Sequence, residues 1–188
     1  VSNITLTGTT ALKVGGPGEN DRLEEDQNAV YAGFWDNASY AQGWWSQGKA
    51  KWAAYDPGHP TDPDRTVTIT YQKNDVHDLF VGTLFWQSGG QFSCSVDGDT
   101  PTTHDTYWND FQGRAGMMEL RTGLAAGKHT VVLKVLSTKN ASSSGYAFYY
   151  DYLWPLVKGD VPDAPWAVTN TSLAIDFDTD HGIKKPPY

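Results

Sequence analysis

The 188 residues carry a formal net charge of −8 and an isoelectric point near 4.9, with 8 Trp and 10 Tyr beside one Cys and two Met. That balance offers no basic footprint for a nucleic-acid backbone and disfavours anionic membranes. No apolar run approaches the ~20 residues of a membrane span, and a lone cysteine excludes an internal disulfide and is too little for a metal site.

The length fits one domain with a short appendage. A start at Val1, with no Met and no signal-like apolar segment, reads as a processed or excised fragment. Residues 4–14 alternate weakly and predict opening strands, ended by Gly15-Gly16-Pro17-Gly18; no GK[ST] follows these glycines, so they are a turn and not a phosphate loop. Asp21 to Gln27 is acidic and loop-like. Ala29 to Trp35 predicts a short strand broken by Asp36-Asn37, and Gly43-Trp44-Trp45-Ser46-Gln47-Gly48 a turn carrying two Trp. Lys49 to Tyr55 predicts a strand stopped at Asp56-Pro57-Gly58, and His59 to Asp64 is turn chemistry throughout.

Thr66 to Tyr71 alternates threonine with apolar residues and is the clearest strand signal. Leu79 to Trp86 is nearly continuous in apolar character, as suits a central strand covered on both faces. Gln91 to Asp97 and His129 to Leu136 again show period two: Phe92, Cys94 and Val96 on one face, Val131, Leu133 and Val135 on the other strand's matching face. Cys94 thereby reads as a buried structural thiol. Gln112 to Leu120 is the one candidate for a short helix, with Asp110 as its cap and Gly113 and Gly116 against it. Phe148 to Leu156 predicts the last strand, with Phe148, Tyr150, Tyr152 and Trp154 on a core face and Tyr149 and Asp151 on the other.

After Val157 the composition changes. Lys158 to Pro165 is a linker by composition, which divides the chain into a β module, 1–157, and an extension, 158–188, that is either a wrapping tail or the start of a further domain. Trp166, Leu173, Ile175, Phe177 and Ile183 are too apolar for a solvated linker; residues 171–178 are expected to lie extended against the sandwich.

The order Tyr31-Ala-Gly-Phe-Trp35, Val67-Thr-Ile-Thr-Tyr71, Gly90-x-Phe-x-Cys-x-Val-Asp-Gly98, Leu124-Ala-Ala-Gly-Lys-His-Thr-Val131 and Asn140 to Tyr152 resembles the galactose-binding-like jelly rolls. These include many carbohydrate-binding modules attached to bacterial polysaccharide-degrading enzymes. The resemblance covers about residues 4–157, and its most specific pieces are structural turns. It implies an all-β, two-sheet antiparallel β-sandwich, a sugar ligand, an extracellular or cell-surface setting, and a structural calcium near the first strands, for which Glu24, Glu25 and Asp26 are the candidates. Solvated charge is the other reading of that cluster.

Enzyme signatures fail. No Gly-x-Ser-x-Gly elbow occurs, and the five His have no metalloprotease spacing. Asp176 to Gly182 looks like a calcium loop, but an EF-hand needs Gly sixth and Glu twelfth, where this chain has His181 and Pro187. The aromatics carry the functional expectation: a sugar offers an apolar C–H face and hydroxyl edges, so its site pairs a flat ring with amides or carboxylates. Three clusters qualify: Trp35 with Asn37; Trp44 and Trp45 with Gln47; and Tyr107 and Trp108 with Asn109. In an extended chain Trp44 and Trp45 point opposite ways, so one of the two packs inward. The expected function is a non-catalytic carbohydrate-binding module beside a neighbouring domain. The alternative is a structural or adhesive accessory domain of a surface, tail-fibre or enzyme protein.

Overall fold

The structure, a computed structural model, describes residues 22–38 and 45–157. The expected strands of residues 4–14, Trp44 and the 158–188 extension lie outside the described residues. Among the described residues there are twelve strands: β1 Leu23–Glu24, β2 Ala29–Ala32, β3 Asp36–Asn37, β4 Lys51–Ala54, β5 Thr66–Lys73, β6 His77–Phe85, β7 Gln91–Val96, β8 Thr102–Asp105, β9 Arg114–Leu124, β10 Gly127–Val135, β11 Ala147–Tyr150 and β12 Tyr152–Val157. Among the described residues there is no α-helix, and the helical element is a 3-10 turn at Ser46–Gly48.

The alternating strands fix the frame. In β5, β7 and β10 every second residue is buried, and antiparallel register puts Ile69, Val131 and Val96 in one row and Val67, Leu133 and Cys94 in the next. These strands are the centre of a five-stranded sheet, β2-β5-β10-β7-β8. A four-stranded sheet, β1-β12-β6-β9, lies across it, and a ribbon, β11-β4-β3, completes the wall. Residues of all three meet in one core that includes Val67, Ile69, Phe92, Cys94, Val96, Val131, Leu133 and Val135, with Leu79, Val81 and Leu153 opposite and Phe148 and Tyr150 from the ribbon. The architecture is a jelly-roll β-sandwich. Burial pushes the Cys94 thiol up to about 11, so it behaves as an inert core side chain.

Four local expectations are corrected. Gln112 to Leu120 is not helical: after Gly113, at φ +66, the chain enters β9, which pairs with β6 over Met117↔Gly82 and Met118↔Val81. Pairing with the apolar β6 outweighs the helix preference of Met, Glu and Leu. Asp21 to Gln27 is not all loop, because Leu23 and Glu24 pair with β12. Asp36-Asn37 does not end the strand region; it pairs with Trp52 and Lys51.

The fourth correction concerns the last strand. It is two strands, β11 in the ribbon and β12 in the four-stranded sheet, separated at Asp151, whose N–H donates to the Gly82 carbonyl at 3.0 Å. Changing sheets there breaks the expected common face. Phe148 and Tyr150 enter the main core together with Leu153, Tyr149 joins a cluster with Trp45, and Tyr152 and Trp154 form a separate cluster with Leu156.

Candidate functional site

Antiparallel connectivity brings the loops that follow β6 and β8 and precede β11 to one end of the sandwich. They are laced by backbone bonds: Trp86 N–H to Thr106 O at 3.1 Å, Trp108 N–H to Trp86 O at 3.0 Å, and Ser144 N–H to Gln87 O at 2.9 Å. Small residues permit this. A Cβ on Gly89 would stand 2.2 Å from the Thr106 carbonyl oxygen, and one on Gly90 2.5 Å from Tyr146 backbone.

On this base sits the 106–113 loop. The Trp86 indole N–H donates to the Phe111 carbonyl at 2.9 Å, and Asp110 accepts the Gln112 N–H at 2.9 Å. The loop presents Trp108, 45% exposed, with Phe111 and Asn109 also exposed. The Arg114 guanidinium lies 5.5 Å from the Trp108 ring centroid. Tyr107 is half-buried, its N–H held by Asp105 at 2.8 Å. Among the described residues Trp108 is the one exposed tryptophan.

The other two clusters are placed differently. Trp35 is half-buried, edge-on to Tyr31 at 5.2 Å and to Phe148 at 6.2 Å, with its indole N–H on the Ala32 carbonyl. It closes the core. Asn37 is exposed, and its Oδ1 accepts the Lys51 ammonium at 2.6 Å. Trp45 is 5% exposed and stacks on Tyr149 at 5.6 Å. Gln47, exposed and at φ +52, stands on the rim of a cavity.

That cavity, about 510 Å³, has Glu24, Trp45, Met117, Asp151, Tyr152 and Trp154 among its walls. Glu24 Oε1 accepts the Ser46 hydroxyl at 2.9 Å. Asp151 is 4% exposed, and burial pushes its carboxyl up to about 7, against the Ser46 N–H, with Glu24 and Glu25 adding to the rise. Burial likewise raises Glu25. Of the calcium candidates, Glu24 lines the cavity with Asp151, Glu25 is buried and Asp26 is exposed. Among the described residues no three His, Cys, Asp or Glu side chains are arranged to hold a metal ion.

Sequence reasoning passed over Phe111, Arg114 and Trp154 as site residues. Phe111 and Arg114 flank the Trp108 cluster, so proximity in sequence was the available signal. Trp154 meets Glu24 only through strand pairing, which no local pattern reveals.

Comparison with protein-family models returns no match, and neither does comparison with the curated proteins. Comparison with solved structures does. A Paenibacillus xanthan lyase superposes with a TM-score of 0.55 at 18% identity, over 81% of this chain and 14% of that one. A two-domain esterase active on acetylated mannans, co-crystallised with mannopentaose, gives 0.52 at 15% identity, over 73% of this chain and 36% of that one. A family 35 carbohydrate-binding module from Clostridium thermocellum gives 0.46 at 16%, over 72% of this chain and 98% of that one. At these identities the likeness to the first two is one of fold alone, an antiparallel β-sandwich. The chain spans a small part of the first two proteins. Among the described residues no helix is long and apolar enough to cross a membrane.

Proposed function

We propose that the chain is a non-catalytic carbohydrate-binding module whose platform is the 106–113 loop. Trp108 carries this reading, because it is exposed while Trp35 and Trp45 are committed to packing. A soluble fold hides a large ring unless the ring has another use, and a flat indole flanked by Arg114 and Asn109 matches the apolar face and hydroxyl edge of a sugar. The backbone bonds to Trp86 hold the loop in place before a ligand arrives, which lowers the ordering cost of binding. A secreted setting and an enzyme as neighbouring domain belong to the same reading. The two sugar-active proteins of similar fold, of which this chain matches only a part, support it.

Xanthan and acetylated mannans, the polysaccharides named for those two proteins, are the first ligands to try, followed by a glycan array. Binding is expected, and Trp108→Ala should weaken it at least about tenfold, 1.4 kcal/mol, with the melting temperature moved by less than about 2–4 °C. No glycan bound, or unchanged affinity in W108A, defeats the reading.

One observation favours the adhesive alternative. Val30 and Phe34 are both exposed at the edge of the five-stranded sheet. A neighbouring domain seated there would protect Phe34 from solvent, which its hydrogen-exchange and fluorination signals in a longer chain would report.

A further inference from the structure

We propose that His77 and His129 form an acid-sensitive latch between the two sheets, at the end of the sandwich opposite the 106–113 loop. While that end is closed the two rings hold no more than one proton beyond their neutral forms, and a second proton opens it. Topology brings the pair together. β6 starts at His77 and runs toward the loop end, so His77 stands where β6 meets Leu124 of β9 and Val157 of β12. β10 places His129 beside Tyr71 of β5 in the facing sheet. Between centroids, the His77 ring lies 5.5 Å from Tyr71 and 5.2 Å from His129, and Tyr71 lies 5.4 Å from His129. All three side chains are buried, His77 completely.

The hydrogen bonds decide where a proton fits. His77 Nδ1 faces the Asp75 carbonyl at 2.9 Å, an acceptor, so Nδ1 carries the N–H. Its Nε2 then accepts the Tyr71 hydroxyl at 2.7 Å, a bond that ties one sheet to the other. His129 is set differently. Its Nδ1 faces Asp97 Oδ2 at 2.7 Å and its Nε2 the Ala125 carbonyl at 2.9 Å. Both partners accept, so both bonds form together only on the charged ring. The Thr130 N–H and His129 hold Asp97 as a carboxylate, below the usual range. A proton added to His77 Nε2 turns the buried Tyr71 hydroxyl away from its acceptor, and sets a second cation 5.2 Å from the first. Burial above all, then the His129 and Lys73 charges, holds the His77 imidazole below its usual 6.5, with the Asp75 carbonyl and Asp78 pulling the other way. An opened His77 has no such restraint. Below about pH 6.5 the open state takes a proton that the closed state refuses, so closure weakens as the medium acidifies.

The test uses the full chain labelled with nitrogen-15, the two ring signals assigned by His77→Gln and His129→Gln. From about pH 7.5 to about pH 5 the folded His77 ring is expected to stay neutral with its proton on Nδ1, while at the acid end His129 shows two N–H groups. Amide hydrogen exchange, corrected for intrinsic rates, reads the latch. Protection from His77 to Leu79 and at Leu156 and Val157 is expected to fall about tenfold per pH unit below about 6.5. Amides in the middle of β5 and β10 should keep theirs, because burial of Asp151 acts on the whole fold in the opposite sense. His77→Gln, which does not titrate, should abolish the fall. Should H77Q fail to fold, His129→Gln removes the neighbouring charge and is expected to raise the pH at which the closed His77 ring titrates. The proposal is overturned if His77 charges in the folded chain with protection unchanged, or if its proton sits on Nε2. It is also overturned if protection falls equally across the whole sandwich.

Discussion

Ser46 and Asp151, 105 residues apart, are joined by a forked bond: the Ser46 N–H donates to both carboxylate oxygens, at 3.0 and 3.1 Å. Asp151 is the residue at which the chain leaves the ribbon for the four-stranded sheet, and Ser46 follows the buried Trp45. One contact therefore fixes the sheet change, the Trp45 turn and one wall of the cavity.

Burial of the same carboxyl, which outweighs the Ser46 contact, makes stability depend on pH. The folded carboxyl of Asp151 titrates at about 7, above its ordinary 3.8. Between those values the folded state holds a proton that the unfolded state has lost, so stability falls as pH rises from about 4 to about 7 and then levels. The ceiling of this contribution is about 4 kcal/mol. Asp151→Asn keeps an oxygen for the Ser46 N–H and carries no charge. Urea midpoints measured across this range should fall more steeply for the natural chain than for D151N. Parallel curves would contradict the placement of Asp151 in a dry site.

Trp45 and Trp108 should separate stability from binding. Trp45 is buried and stacked on Tyr149, so Trp45→Ala is expected to cost roughly 3–5 kcal/mol. Trp108→Ala removes an exposed ring, for which about 1 kcal/mol or less is expected. Chemical denaturation of both variants checks this, and equal losses would place Trp108 in the core.

Arg121 is a tie between sheets. From β9 its guanidinium reaches Asp99 at 3.1 Å, the Cys94 carbonyl at 3.0 Å and Thr102 of β8. Arg121→Ala leaves carbonyls without their donor and should cost about 1–3 kcal/mol. Asp99→Asn should cost less, since the carbonyl contacts remain and Asp99 is half exposed. A double-mutant cycle reads the difference, and an Asp99 effect as large as that of Arg121 would make the ion pair the whole contact.

Gly89 should be a stricter position than Gly98. A Cβ on Gly89 collides with Thr106 backbone, whereas nothing lies within 4 Å of one on Gly98, which is a glycine for its φ of +78. Gly98→Ala is therefore expected to cost about 1 kcal/mol. Gly89→Ala should cost more, and should also weaken glycan binding, because it pushes apart the backbones that seat Trp108. Binding that survives G89A undiminished would detach the platform from this strut.

Alternation made the sandwich legible. In β5, β7 and β10 each side chain's face follows from a period of two, so the apolar residues of Thr66 to Tyr71 and the six inward residues of β7 and β10 are all buried. β9 was misread because Met117, Glu119 and Leu120 suit a helix locally, and only pairing with β6 holds them extended. The Phe148 to Trp154 face was misread because a sheet change at Asp151 resets the alternation.

The sequence by itself determined the class of fold, the inward residues of its regular strands, and the stock of aromatic rings from which the proposed sugar platform is drawn. Tertiary structure decided which ring is free. Trp35, Trp45 and Trp108 are chemically alike and similarly flanked, and their exposure depends on whether Phe148, Tyr149 or solvent lies opposite. It also decided the cavity, since Glu24 and Trp154 lie far apart in the chain and meet only where β1 pairs with β12. Periodicity is a local property of the backbone, whereas burial and convergence are set by partners that arrive from elsewhere in the chain.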